Sequence, residues 1–417
     1  MDGGWRMKVA VVGAGISGLA AAHALQDRAD VTLFEAARRI GGHNDTHAIL
    51  TGGRTYRVDS GFIVFNRENY PGFSAWLDEL GVEAQPSDMS FGVSNRRTGL
   101  EYGTRNLNAL FCQRRSAVSP RFLTMLRDLR RFYREAAAVT ADDGRSLAEF
   151  LRQGGYGPGF AEDHLVPMCA ALWSLPNQNA GEVPVAHVVA FMAQHRMLQV
   201  AGRPQWLVVK GGSGAYLDAF AASFSGTLRP GEPVLSVARQ PSQAVVTTRS
   251  GRHVFDAVVL ACHSDQALGL LADPSREERE ILGAIRYQEN VAVVHSDPSV
   301  MPRQRRAWSS WNAVAGETAS CQVTYWMNLL QSLDGPQPFF VTLNPERELD
   351  QVWCRRHYAH PVFSAEARAA QRRYDEINGV RGTWYAGAYW GWGFHEDGFA
   401  SGVRVAEAMT RERANAA

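Results

Sequence analysis

The chain has 417 residues, 45% of them hydrophobic and 20% charged. That is enough for two or three domain equivalents with sizeable cores, and too apolar for a disordered protein. A formal net charge of +1 argues against a general nucleic-acid binder, which carries a strong basic excess. The five cysteines, Cys112, Cys169, Cys262, Cys321 and Cys354, are scattered and show neither C-x-x-C nor Cys/His ligand spacing. They read as reduced thiols of a cytoplasmic protein, and no metal site is expected. No basic start runs into an apolar h-region and no long apolar run spans a bilayer, so neither a standard secretion signal nor an integral membrane segment is expected.

In chain order, residues 1–6 are expected to fray. An apolar strand over Val9–Val12, a glycine turn, an Ala-rich helix at Leu19–Leu25 and a strand at Val31–Phe34 then form a βαβ unit. Residues 71 to about 200 carry helical patterns at Phe73–Leu80, Pro120–Val139 and Ser146–Arg152, broken by Gly154-Gly-Tyr-Gly-Pro158, and predict a mostly helical insertion. A strand at Trp206–Val209 ends in Gly211-Gly-Ser-Gly214 and starts a helix at Ala215. Strands are predicted at Pro233–Ala238, Ala244–Arg249 and Ala257–Leu260. Val291–His295, Arg306–Trp311, Gln322–Met327 and Phe339–Leu343 predict a second, antiparallel sheet. Thr383–Gly387 and a terminal helix from about Phe399 to Arg413 close the chain. The expected division is a nucleotide domain from residues 1–70, 205–265 and 380–417, and a substrate domain from 71–204 and 266–379.

In Gly13-x-Gly15-x-x-Gly18 the first glycine permits a tight bend, the second a close approach of backbone to a pyrophosphate, and the third close helix–strand packing. The helix start at Ile16 and Ser17 faces the phosphates with its positive dipole end. Glu35 lies at the end of the next strand, twenty residues beyond Gly15, where a carboxylate accepts hydrogen bonds from ribose hydroxyls and repels a 2′-phosphate. The ligand is thus FAD or NAD rather than NADP, and this fingerprint alone leaves both open.

Further segments bear on that choice. Glu35-Ala36-Ala-Arg-Arg39-Ile-Gly41-Gly42-His43, Asp59-Ser-Gly61-Phe62-Ile63-Val-Phe65, Trp384-Tyr-Ala-Gly387 and His395-Glu-Asp-Gly398-Phe399 resemble, in this order, the flavin amine oxidase and phytoene desaturase superfamily. The resemblance covers essentially the whole chain. It implies an α/β fold: a Rossmann-like FAD-binding domain with an inserted α+β substrate domain containing an antiparallel sheet. It also implies non-covalent FAD, held by Gly13, Gly15, Ile16, Ser17, Gly18, Glu35, Ala36, Arg39, Gly41, Gly42, His43, Gly61, Phe62, Ile63, Val234, Gly387, Gly398 and Phe399. In that superfamily a final helix points its N-terminus at the flavin, where its dipole stabilises negative charge on the reduced ring. This chain departs from the pattern in having His43 in place of an Arg after the glycine pair, and Ala37 in place of an Arg two residues after the ribose-binding Glu. Flavin amine oxidases often use a lysine in the substrate-domain half, and here no lysine follows Lys210, which argues against amine oxidation.

Within the superfamily, the segments His295–Pro302, Ala307–Asn312, Val323–Gln331, Val341–Pro345 and Gly391–Gly398 resemble a bacterial subgroup encoded beside cyclopropane-fatty-acid-synthase-like methyltransferases. That likeness implies oxidation or desaturation of an unsaturated fatty acyl lipid, a role in making methylated or furan-containing fatty acids, and an acyl-chain methyltransferase as partner.

The candidate catalytic residues are His395, Glu396 and Tyr389: the His or the Glu to take a proton while hydride passes to flavin N5, and Tyr389, with Trp390 and Trp392, to wall the flavin. Their alternative roles are helix capping, cofactor orientation and core packing, and Asp397 reads as an N-cap. His295, with Tyr325 and Asn328 nearby in the substrate half, reads more as a structural histidine than a catalytic one. In Gly211-Gly-Ser-Gly214, Leu217 stands where a third glycine belongs, so no second nucleotide site is expected and electrons leave for oxygen, a quinone or another protein. Pro120–Val139 sets Arg121, Arg127, Arg130, Arg131 and Arg134 around Phe122, Leu123, Leu126, Leu129 and Phe132. With Arg114 and Arg115 nearby, this is either a solvated basic face or a peripheral contact with anionic lipid on the inner face of the membrane.

Overall fold

The computed structural model describes residues 6–173, 181–199, 201–316, 321–335 and 337–416; the leader expected to fray lies outside them, Arg6 excepted. The apolar run after Met7 forms the central strand, Met7–Val12, of a five-stranded parallel sheet. The strand order is Thr227–Pro230, Ala29–Glu35, Met7–Val12, Ala257–Leu260, Thr383–Tyr385. Val9, Ala10 and Val11 are fully buried because both faces are covered. Helices Ile16–Leu25, Pro71–Glu79, Gly214–Ser223 and His395–Ala416 contribute the core over one face, around Val9, Val11, Phe73, Trp76 and Phe220. A three-stranded antiparallel sheet, Val234–Gln240, Gln243–Thr248 and Gly251–Phe255, packs over the other with Ala10, Val12 and Leu260.

The second sheet has seven strands in the order Val352–Val362, Arg286–His295, Phe340–Leu343, Gln322–Trp326, Trp311–Ala315, Phe91–Asn95, Leu100–Gly103. All neighbours are antiparallel except Trp311–Ala315 with Phe91–Asn95. Register places Phe91 opposite Trp311, Trp311 opposite Tyr325, Tyr325 opposite Val341 and Val341 opposite Val294, so these five side chains form one row on one face. Helices Pro120–Glu135, Leu147–Gln153, Val166–Trp173 and Val185–Gln194 build a separate core around Phe122, Phe132, Phe160 and Phe191. Among the described residues no helix is long and apolar enough to cross a membrane.

Three expectations are corrected. The segment after residue 71 is not simply helical: Phe91–Asn95 and Leu100–Gly103 make a hairpin that joins the large sheet. Arg306–Trp311 is not a strand. Arg305–Ala307 is a 3-10 turn, the Asn312 amide bonds Ser309 N–H and C=O, Trp308 Nε1 donates to Pro302 C=O, and the strand starts only at Trp311. The closing helix begins at His395, not near Phe399, which makes His395, Glu396 and Asp397 its first turn rather than its lead-in. The helix expected over Pro120–Val139 is α-helical to Glu135 and tightens to 3-10 over Ala136–Ala138.

The first and closing helices cross closely, with Gly402 directly against the backbone of the first helix. A Cβ on Gly402 would lie 2.2 Å from Ser17 O and 2.9 Å from Ala21 N, and one on Gly398 would lie 2.7 Å from Ile16 Cγ2. Gly402→Ala must push the helices apart, and we expect a loss of about 1–3 kcal/mol by chemical denaturation. Unchanged stability would mean that the crossing is not tight.

Candidate cofactor and active site

The glycine turn is built by close approach on one side and open space on the other. Gly13 has φ +103°, and a Cβ there would sit 2.8 Å from Ala261 O. A Cβ on Gly18 would sit 1.8 Å from Gly13 O, while one on Gly15 would meet nothing within 4 Å. The first helix has no side-chain cap and no acidic residue in its first turn, so the N–H groups at Ile16 and Ser17 and the positive dipole end are left to an anion. Glu35 is fixed beside the turn: its Oε2 accepts from Ala14 N–H at 2.8 Å and its Oε1 from Ala37 N–H at 2.9 Å. Ala36 follows it at the strand's end. Gly231 N–H donates to Ala37 C=O and Glu232 N–H to Glu35 C=O, which brings the strand that starts at Val234 alongside.

The second glycine pair lies against the first. Gly41 N–H donates to Ala14 C=O at 2.7 Å, and Gly42, at φ +58°, would bring a Cβ within 3.1 Å of Gly15 Cα. Arg39 spends its guanidinium on this loop, donating to Asn44 C=O at 2.7 Å and Gly42 C=O at 2.9 Å and pairing with Asp45 at 3.3 Å. His43 stacks on Tyr358 with centroids 5.1 Å apart, and its Nε2 lies 3.1 Å from Ala359 C=O. Burial, with His360 and His263 nearby, lowers its pKa to about 3, so it is neutral. As a neutral, stacked imidazole it anchors the loop to the large sheet.

The loop around Gly61 is zipped onto this pair. Phe62 N–H donates to His43 C=O at 2.8 Å, and a Cβ on Gly61 would lie 1.8 Å from that same oxygen. Phe62 lies flat on His395, centroids 3.6 Å apart and planes 7° from parallel. Ile63 belongs to the core that holds Val294, Val341 and the partly buried Trp311 and Tyr325. Gly387 N–H donates to Ser401 Oγ at 3.1 Å, Gly398 rests on Ile16 and Ser17, and Phe399 packs on Trp76 at 5.4 Å.

The three candidate catalytic residues have different surroundings. His395 Nε2 lies 2.9 Å from Tyr216 Oη, and burial lowers its pKa to about 3. Glu396 caps another helix: its two oxygens accept from Gly72 and Phe73 N–H at 2.9 Å each, the first-turn donors of Pro71–Glu79. The capping role is therefore what the geometry gives it. Tyr389 is buried in the core behind the parallel sheet with Tyr385, its hydroxyl unpartnered among the described residues, and it does not join His395. Asp397 is not the N-cap itself; from the third helical position its carboxylate accepts from Phe394 N–H at 2.9 Å, and burial raises its pKa to about 6.

Elsewhere, His295 faces away from the row of five and lies 2.7 Å from Thr342 Oγ1. Asn328 donates to Leu333 and Gln337 C=O and accepts from Phe339 N–H. Lys210 pairs with Glu83 on the surface. Trp392 packs on His187 at 5.0 Å with Arg368 over it, and Trp390 donates to Tyr385 C=O.

Sequence reasoning missed Tyr216 and the role of Asp59. Asp59 is fully buried and accepts from Ser213 N–H at 2.9 Å, Gln331 Nε2 at 2.6 Å and the Thr46 hydroxyl. It thereby clamps the Gly211–Gly214 turn to the large-sheet half. Desolvation raises its pKa to about 6. No local signal marks these partners, since Ser213 is 154 positions away.

An open helix N-terminus, a space that a Cβ at Gly15 would fill, and a backbone-fixed carboxylate fit a dinucleotide. Fold and site together define an FAD-dependent oxidoreductase. Residues 16–299 match the flavin containing amine oxidoreductase family, and the chain belongs to it. Similar folds include a CLA-producing fatty acid isomerase from P. acnes, at 16% identity over 97% of this chain and 98% of that one with TM-score 0.69. Cyclohexylamine oxidase from Brevibacterium oxydans is similar at 16% identity over 98% and 99%, TM-score 0.70. Putrescine oxidase bound to putrescine is similar at 16% over 98% and 99%, TM-score 0.67. At such identities the likeness is one of fold. Curated proteins give no match.

Two outcomes follow. Gly15→Val fills open space, so the protein should fold with wild-type stability yet lose bound flavin by at least about tenfold, read from visible absorbance of the purified protein; retained flavin would contradict the cradle. The second concerns acid. The folded chain holds His43 and His395 at pKa about 3 and His164, His187 and His295 at about 4, against 6.5 ordinarily. The unfolded chain thus binds more protons below about pH 6.5, and stability falls as pH drops from there towards 4. Asp59 and Asp397, at about 6 against 3.8, oppose this, because the folded state gains from their protonation as pH falls from 6 to 4. The five histidines outweigh the two acids. Thermal unfolding should move to lower temperature between pH 7 and 4, less steeply in His395→Asn; a flat or rising profile would count against neutral burial.

Proposed function

We propose that the enzyme oxidises an unsaturated fatty acyl chain, leaving an additional double bond. The observation that carries this reading is the row Phe91, Trp311, Tyr325, Val341 and Val294 on the inward face of the seven-stranded sheet. Phe91, Trp311 and Tyr325 remain partly open there, and the row carries no charged side chain. Such a wall holds a hydrocarbon by burial and dispersion and offers a cationic amine no counter-charge. The surface position of Lys210 supports the same preference against amines. The segments resembling the methyltransferase-associated subgroup, Ala307–Asn312 and Val323–Gln331 among them, add methylated or furan-forming acyl chains as the finer substrate class, and an acyl-chain methyltransferase as the partner that shares it.

FAD, when bound, supplies the hydride acceptor. The glycine turn and Glu35 would hold its pyrophosphate and adenosine ribose, and Gly41–Gly42 and Gly61–Ile63 would line the site beside them. Apolar side chains of the row exclude water from the reacting carbon. We assign proton removal to His395, oriented by Tyr216 and Phe62; burial lowers its pKa to about 3 and makes the imidazole a weak base, so the assignment requires that negative charge developing beside it raise that pKa. Tyr325, its hydroxyl pKa raised by burial, stays protonated. Glu396, with both oxygens on backbone N–H groups, acts as a cap.

Anaerobic mixing with unsaturated acyl substrates should bleach the flavin and yield product lacking two hydrogens; amines should do neither. Reduction by amines alone would overturn the reading. His395→Asn should keep flavin and lose roughly 10²–10⁴ in turnover, whereas Glu396→Gln should cost stability of about 1 kcal/mol with turnover preserved. A second reading is isomerisation, in which the hydride returns and the double bond moves. It draws on the similar fold of the fatty acid isomerase, and a product of unchanged mass would select it.

A further inference from the structure

The helix Pro120–Glu135 presents two unlike faces. Phe122, Met125, Asp128 and Phe132 point into the helical core. Leu123, Arg127, Arg130 and Arg134, spaced four, three and four apart, share one exposed stripe. The arginines elsewhere on this helix are committed: Arg121 pairs with Asp163 and Glu162, and Arg131 pairs with Glu135 and lies over Tyr156. Arg130 and Arg134 pair with nothing among the described residues, and Arg127 has only Asp128 at 3.6 Å while its side chain stays 74% exposed.

The stripe continues beyond the helix. Arg114 and Arg115 are exposed on the 3-10 turn just before it, and Arg114 reaches Asn108 at 2.6 Å, next to Leu107. Helix Leu107–Leu110 in turn packs against the Arg305–Ala307 turn, which adds exposed Arg305 and Arg306. The acids nearest this face are already engaged: Asp88 with Arg105, Glu162 with Arg97 and Arg121, and Glu135 with Arg131 and Tyr156. From the same surface Leu107, Val118 and Leu123 project at 73%, 79% and 45% exposure.

A chain of net charge +1 has thus gathered unpaired arginines on one face and set three large apolar side chains among them. Guanidinium groups match phosphate oxygens, and isolated projecting aliphatics gain by entering the headgroup–acyl boundary. A nucleic-acid backbone would use the cations and leave the aliphatics in water. We propose that this face docks the enzyme on an anionic phospholipid membrane, with Leu107, Val118 and Leu123 seated at the boundary and the arginines on headgroup phosphates. The purpose of docking rests on the acyl-lipid reading, because the same helix roofs the core that includes Phe91, Trp392 and Phe394.

The test is co-sedimentation of the flavin-loaded enzyme with vesicles of phosphatidylcholine alone or mixed with phosphatidylglycerol. We expect binding to the mixed vesicles only, weakened by raising salt to about 1 M. The triple variant Arg127→Gln, Arg130→Gln, Arg134→Gln should lose roughly a hundredfold in partition, and Val118→Ser with Leu123→Ser should leave a weaker binding that salt removes completely. Flavin content and turnover of detergent-dispersed substrate should be unchanged in both, which separates failure of docking from failure of the acyl-lipid chemistry. No binding, equal binding to both vesicles, indifference to the triple variant, or equal affinity for duplex DNA would each overturn the proposal.

Discussion

The crossing of the first and closing helices, made through Gly398 and Gly402 on Ile16, Ser17 and Ala21, governs the cofactor site. It brings the N-terminal ends of two helices close together, and two positive dipole ends repel unless negative charge stands between or beside them. The closing helix carries Glu396 and Asp397 in its first turn, whereas the first helix carries no acid there. Its end is therefore the one left open, beside the space in front of Gly15. Any side chain at Gly402 would separate the helices and with them the two halves of the site.

Around that crossing, polar groups are engaged before any ligand is considered. Arg39, Asn44, Asp59 and Ser213 hold one another and the backbone, and Glu396 caps a third helix. The histidines near the site, His43 and His395, are neutral through burial. The charged groups around the crossing are thus spent on holding loops in place, and the row proposed to face the substrate is aromatic and aliphatic. A row of this kind suits removal of hydride from carbon better than recognition of a cation.

The cofactor half was readable because its constraints are local. Gly13, Gly15 and Gly18 sit within one turn, Glu35 ends the adjacent strand, and each apolar run has the period of its element. The large sheet was readable as strands but not in its order: the Phe91–Gly103 hairpin joins Trp311–Ala315 across more than two hundred residues, a pairing that no local period encodes. The Arg306–Trp311 segment looked like a strand because it is rich in strand-favouring residues, yet the Asn312 amide bonds the Ser309 backbone and Trp308 donates to Pro302 C=O, which makes a turn. The clamp at Asp59, the His395–Tyr216 pair and the cap made by Glu396 escaped for the same reason, since each joins residues brought together only by the fold.

Action on acyl chains, as proposed, is open to a test inside cells. Its most direct test is a lipid profile of cells producing the wild-type protein beside cells producing Gly15→Val, which keeps the fold and loses the cofactor. Only the wild type should yield acyl species short of two hydrogens or carrying a displaced double bond. Identical acyl profiles in the two, with amine oxidation appearing only in the wild type, would contradict it.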